Sequence, residues 1–267
     1  MGANQTIGKN VIIKENVILG DNINIGDNVY IDANCIIRDN VTIGNNSTIG
    51  ANCILGEYQM DFYTNGRKSA YHPLTIGENA LIRSGTIIYG DCVIGNDFQT
   101  GHMVSIREKA NIGNHVSVGT LSDIQGFCEI GNYVRMHSYC HIAQKTVIED
   151  YVWLFPRVTF TNDPTPPSDK LIGATVESFA VISTGSTILP GVTIEGDSLI
   201  AAGATVVKDV KAFSVVGGVP GKVIGDIRNI KNHFTGEQVY PWRYSFKRGM
   251  PWQDCGYEAW DEANNKE

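Results

Sequence analysis

Acid–base chemistry in this chain is concentrated between positions 102 and 163, which hold His102, His137 and His141 and then "VTFTNDPTPPS", with Asn162 beside Asp163. Imidazole titrates near neutrality, so His141 and His137 are candidate bases. A carboxamide next to a carboxylate can orient a polar group, and Asp163 could take or hold that group's proton. The same pair ahead of Pro164 is also a turn former. Arg83 and Arg107 carry planar guanidinium forks suited to phosphate oxygens, and Tyr89 adds an aromatic surface. Further on, "ISTGSTILPGVTIEGDSLIAAGATVVKDV" is nearly bare, with Ser183, Gly185, Ala201, Ala202 and Gly203 leaving backbone N–H and C=O groups unshielded.

A repeat spaces these residues. In "VTIGNNSTIGANCILG", residues 41–56, Ile43, Ile49 and Leu55 fall six apart, each followed by glycine. The same six-residue period runs from Ile7 to Leu55, from Ile76 to Phe160 and from Val176 to Val206. Of these thirty leading positions only Thr100 is not apolar. A helix would need apolar spacings of three and four, and a plain strand would need alternation. The pattern instead predicts a coil that turns each leading aliphatic inward, turns a small residue four places later inward, and eases its corners with Gly or Asn. Cys35, Cys53, Cys92, Cys128 and Cys140 share one repeat position and read as small buried residues of a reducing cytoplasm. The period is broken at 56–75 and 162–174 and ends near "VPGKVIGDIRNIKNHF", ahead of "YPWRYSFKRGMPWQDCGYEAW". Loops freed from a repeat are where binding is expected.

With its hexads, its glycine–alanine stretch and "VVGGVPGKVIG", the chain resembles the hexapeptide-repeat acyltransferases. The resemblance implies an all-β, left-handed parallel β-helix with three hexads per triangular coil, loops at 56–75 and 162–174, and a β-helical body over 1–225. A short C-terminal helix and aromatic tail would occupy 226–267. "VTFTNDPTPPS" and "YPWRYSFKRGMPW" are most similar to the dTDP-3-amino-3,6-dideoxyhexose N-acetyltransferases. That resemblance implies acetyl transfer from acetyl-CoA to a nucleotide-linked amino sugar for bacterial surface glycans and S-layers, by a metal-free homotrimer. Eighteen residues per turn would stack Ser183 under Ala201 and Gly185 under Gly203, a column for pantetheine. Lys208 and Lys222 would meet the cofactor phosphates, and Pro220 the adenine. Tyr89, Arg107 and Gln125 would form one acceptor column. Arg83, Gly101, Gly119 and His137 would form another, with His102 following its glycine. Asn162 and Asp163 would orient the sugar amine for direct attack on the thioester, with His141 as the alternative base.

Composition narrows the rest. A net charge of −7 argues against a broad nucleic-acid surface. No stretch approaches the roughly 20 apolar residues that cross a membrane. The "MGANQT" start superficially fits a myristoylation pattern and lacks a signal peptide's basic and apolar regions. No CxxC pair suggests zinc. Three rivals stay open: an O-acetyltransferase dependent on a histidine, a γ-class carbonic-anhydrase-like site, whose three histidines around a metal are not clearly matched by His102, His115, His137 and His141, and a non-catalytic β-helix.

Overall fold

A computed structural model describes residues 2–68 and 70–264; the predicted loop at 56–75 and tail at 226–267 include Ser69 and residues 265–267, which lie outside the described residues, as does Met1. The chain winds as an all-β parallel solenoid, consistent with left-handed winding. Each of the thirty leading positions ends or lies within a short strand, from Thr6–Ile7 to Thr205–Val206. The strands stack into three sheets, referred to below as the first, second and third faces. The first face has ten strands, from Thr6–Ile7 to Thr193–Ile194. The second has twelve, from Ile12–Ile13 to Lys222–Asp226, and the third has ten, from Ile18–Leu19 to Thr205–Val206. Register runs at eighteen residues through most of the coils, as in Asp123 opposite His141, and shortens to sixteen at the last coil, where Ile200 lies opposite Val216.

Burial follows the hexad. Ile43, Ile49 and Leu55 are buried in one continuous core with the leading residues of later coils, Thr100 included. Ile7, at 42% exposure, and the half-buried Ile13 depart from this because the first coil has no coil beneath it among the described residues. Asparagine sits at positive φ at every corner from Asn4 to Asn52, in the left-handed region it tolerates best among non-glycine residues. Its side chain also bonds the asparagine one coil on, as from Asn22 to Asn40 at 3.0 Å. Gly44 is required for a different reason, since a Cβ there would lie 2.5 Å from the Gly77 carbonyl carbon on the next coil. The five cysteines of the repeat are buried and unpaired, and Cys255 is exposed.

Both breaks in the repeat leave the solenoid at the same corner, between the third and first faces. The earlier one follows the strand Ile54–Glu57, contains the helix Met60–Thr64 and returns at Leu74–Ile76. The later one follows Thr159–Phe160 and returns at Thr175–Val176. The C-terminal segment holds single turns at Ile227–Asn229 and Trp242–Tyr244 and a helix at Tyr257–Asn264. Its aromatics bury against the chain's own prism. Trp252 is fully buried, and Trp242 donates its Nε1–H to the Phe179 carbonyl at 2.9 Å. They cover a corner where His115, Tyr133, Tyr151 and Phe179 stack at centroid spacings of 4.4, 5.3 and 4.9 Å. Among the described residues, no helix is long and apolar enough to cross a membrane.

Candidate active site

The edge between the second and third faces gathers most of the residues singled out from sequence. Arg83, Gly101, Gly119 and His137 share a column there and line one side of a groove of about 390 Å³. Gln99, Ser117, Arg135 and Trp153 line the other side, on the outward positions of the second face. His137 stacks on Phe155 at 4.9 Å, and burial pushes its pKa below the usual histidine value, which favours the neutral imidazole. His102 is exposed on the same edge, its backbone N–H held by the Thr120 hydroxyl at 3.2 Å.

Where the edge turns onto the third face, His141 Nδ1 lies 3.2 Å from Asp123 Oδ2. Burial raises the Asp123 pKa, but hydrogen bonds from His141, Gln125 and Ser105 outweigh it and keep the group an anion. A carboxylate on one ring nitrogen fixes the imidazole's orientation and leaves Nε2 as the proton acceptor. This is the arrangement a general base needs.

The same edge becomes bare on the uppermost coils. Ser183 lies beneath Ala201, as their neighbours Ile182 and Ile200 pair; Gly217 follows Ala201 in register but is covered by Ile224, whose Cδ1 an added Cβ would meet at 2.8 Å. Gly185 and Gly203 occupy the apex, where an added Cβ would meet nothing within 4 Å. The apex does not demand glycine, because lower coils place Met103, Leu121, Tyr139 and Arg157 there at φ of 54 to 63°. Ala202 is exposed beside them. The "GGVPG" turn folds over this corner, with the Gly221 N–H bonded to the Thr205 carbonyl at 2.7 Å. That turn brings in exposed Pro220 and Lys222, the latter paired with Gly217 across the hairpin. Lys208 is not part of this cluster. It follows Val206, so it leaves the third face at the far corner, two residues past a strand whose near end follows Gly203.

The remaining predicted residues lie at that far corner with the two loops. The Arg107 guanidinium sits 4.8 Å over the Tyr89 ring, and Glu108 takes both Nε and Nη2 at 2.8 and 3.1 Å, so the fork already has its carboxylate. Gln125 donates to Asp123 at 2.5 Å, tying this corner to the His141 pair. Asp163 turns its carboxylate onto its own loop. It accepts from the Ser168 hydroxyl at 2.6 Å, the Ser168 N–H at 2.7 Å and the Thr165 N–H at 3.0 Å. Ser168 holds its pKa below the usual carboxylate value, which makes Asp163 a weak proton acceptor and a strong loop organiser. The Asn162 carbonyl accepts from Ile172 at 2.8 Å and closes the same loop.

Sequence reasoning did not single out Asp123, Arg135 or Trp153, though the eighteen-residue spacings of Asp123 to His141 and of Arg135 to Trp153 were there to be read. It also missed His72, whose ring bridges Asp61 and Asp91 at 2.8 Å each. No spacing announces that contact, because it forms between a loop and a coil. Among the described residues, no group of three or more His, Cys, Asp or Glu side chains is gathered as a metal site.

Residues 22–57 match the family described as bacterial transferase hexapeptide (six repeats), so this segment is hexapeptide repeat by sequence as well as by shape. Curated proteins gave no sequence match. Solved structures similar to the chain include an Arabidopsis UDP-N-acetylglucosamine acyltransferase, 18% identical over 84% of this chain and 73% of that one, with a TM-score of 0.44. A hexapeptide-repeat acetyltransferase of Vibrio cholerae complexed with acetyl coenzyme A is 17% identical over 49% of this chain and 70% of that one, with a TM-score of 0.36. PerB of Caulobacter crescentus, in complex with CoA and GDP-perosamine, is 20% identical over 52% of this chain and 57% of that one, with a TM-score of 0.24.

Proposed function

We propose that the protein transfers an acetyl group from acetyl-CoA to the amino group of a nucleotide-linked amino-deoxysugar, a dTDP-3-amino-3,6-dideoxyhexose being the preferred acceptor. One observation carries the reading. The bare Ser183–Ala201 column and the Gly185–Gly203 apex lie on the same edge of the prism as the His141–Asp123 pair, a few coils above it. Pantetheine laid along backbone amides at the top of that edge would deliver its thioester downward toward His141. Lys222 and Pro220 would meet the nucleotide end of the cofactor.

The neutral amine attacks the thioester carbonyl directly, and no acyl-enzyme forms. His141 Nε2 takes the proton that the attacking nitrogen sheds, while Asp123 steadies the ring. CoA leaves as a thiolate and regains a proton. Asn162 and Asp163 shape the later loop, which stands at the far corner of its own prism and would reach the acceptor side of a neighbouring one. We further propose a homotrimer, because the bare edge is open on one side and a neighbouring prism would close it into a cleft.

The test is CoA release with a panel of nucleotide-linked amino sugars, alongside the corresponding hydroxyl sugars. Release with amino sugars alone supports the reading. The His141–Asp123 pair also suits a hydroxyl acceptor, which needs a base more than an amine does. Release with hydroxyl sugars alone would establish O-acetylation instead.

A further inference from the structure

The groove on the second face holds two buried hydrogen-bond donors that its own chain leaves unanswered. Arg135 Nε and Trp153 Nε1 are buried with no partner, and the two residues are register neighbours on adjacent coils, about 4.8 Å apart. Both groups only donate, so they call for acceptor atoms from outside. Charge points the same way. Among the described residues, neither groove arginine, Arg83 or Arg135, has a carboxylate partner, and nor do Arg67, Arg157 and Arg248, on a chain of net charge −7. Burial and then the nearby Arg248 push the Arg135 pKa below the usual arginine value, a strain that a bound anion would relieve. The Arg135 Nη2 is fixed by the Gly249 carbonyl at 3.0 Å, so the C-terminal tail helps set its position.

Trp153 also walls a second, apolar recess of about 220 Å³, formed with Phe155, Val181, Tyr240, Trp242 and Phe246. An anion-binding surface thus adjoins an aromatic slot across one shared indole. We propose that this second-face groove binds a nucleoside diphosphate, with its phosphates on Arg83 and Arg135 and its base in the recess beside Trp153. The proposal rests on the nucleotide-linked acceptor named above and adds where the nucleotide lies. From there the sugar reaches His137 and then His141 across the edge. The rival fork, Arg107, is already neutralised by Glu108.

A nucleoside diphosphate occurs both in the acceptor and at the ADP end of CoA. Arg83 and Arg135 belong to coils below the bare column of Ser183 and Ala201, and this assigns the groove to the acceptor. Titration calorimetry on the full chain tests it with dTDP, inorganic pyrophosphate and CoA as separate probes. The expected result is that dTDP binds and perturbs tryptophan fluorescence. Arg83→Gln and Arg135→Gln should each weaken dTDP by about tenfold or more, the scale of a charged hydrogen bond, with CoA affinity unchanged. Arg83→Gln carries the test if loss of the Gly249 contact unfolds the Arg135 variant.

Three outcomes overturn the proposal: no dTDP binding to the folded wild type, dTDP binding unaffected by the substitutions, or CoA weakened in parallel. Pyrophosphate binding as tightly as dTDP overturns the placement of the base. Binding of dTDP here without acetyl transfer to any sugar would leave this subsite standing and remove the proposed activity instead.

Discussion

His141 stands one coil above Asp123, with its Nδ1 3.2 Å from the Asp123 Oδ2, while the Asp163 carboxylate is spent on Ser168 and Thr165. The contrast ranks the two candidate bases. A depressed carboxylate satisfied by three donors accepts a proton poorly, whereas an imidazole oriented by a carboxylate accepts one well. His141→Asn should therefore lower kcat by about 10²–10⁴-fold, the range for a lost general base. Asp123→Asn should have a smaller effect, because the imidazole remains and only its orientation is lost. Steady-state kinetics with saturating acetyl-CoA decides the matter. A His141→Asn enzyme of near wild-type kcat would return the role to the loop, as the sequence alone suggests.

Asp163 should then behave as a positioning residue. Asp163→Asn keeps an acceptor oxygen but loses the charge that holds Ser168, and Ser168→Ala removes the donor itself. Both should raise KM for the acceptor by about tenfold and leave kcat much less affected, the split expected when binding rather than chemistry suffers. Its pKa is depressed, so its contribution to loop order is fully present above the usual carboxylate value. It fades as pH falls through the lower, folded-state value. Protection from hydrogen exchange over 162–174, corrected for the intrinsic rate at each pH, should fall in both variants and, in the wild type, on acidification. Unchanged exchange alongside a collapsed kcat would contradict this role.

The solenoid was legible because its signal is redundant. Thirty leading positions each repeat the same instruction, and a single polar exception, Thr100, still packs inside. The bare edge was legible for the same reason, since Ser183, Gly185, Ala201 and Gly203 keep the register. Lys208, two residues past the strand Thr205–Val206, falls at the opposite corner from Pro220 and Lys222, a separation that its place near the end of the glycine–alanine stretch does not announce. Asp123 and Arg135 were readable in principle, being outward residues of strands with partners eighteen positions away. Trp242, Phe246 and Gly249 were not, because the tail has no period and docks by aromatic shape against Phe179, Trp153 and Arg135.

The glycine–alanine edge gives a steric test of the cofactor site. Ala201 faces outward between Ser183 and Gly217, and nothing in the solenoid core depends on its side chain. Ala201→Tyr should weaken acetyl-CoA by at least about tenfold, as the ring would occupy space proposed for pantetheine. The unfolding midpoint should move little, because the added bulk lies outside the core. Calorimetry measures the first and a thermal melt the second. Unchanged acetyl-CoA affinity in a folded variant would mean that the cofactor lies elsewhere.

The earlier loop carries its own pH dependence. His72 bridges Asp61 on the loop helix and Asp91 on the coil, and Gln59 bonds the same Asp91 oxygen at 2.8 Å. Burial lowers the His72 pKa, but hydrogen bonds to Asp61 and then Asp91 outweigh it and raise it above the usual histidine value of 6.5. The other charged groups near the loop's exit, Arg38 and Glu57, pair with each other at 3.8 Å rather than with His72. A raised histidine stabilises the state that holds it, fully below 6.5, and that stabilisation is lost as pH rises through the folded-state value. The loop should accordingly be best protected in mild acid and loosen as pH rises through the raised, folded-state value. Hydrogen exchange over 58–73, corrected for the intrinsic rate at each pH, should show this step in the wild type. His72→Gln should flatten it, because a neutral amide can bridge the two carboxylates at most weakly at any pH. Asp91→Asn should shift the step to lower pH by removing one of the two charges that raise the imidazole. A step of the same size and midpoint in all three proteins would show that another group titrates there.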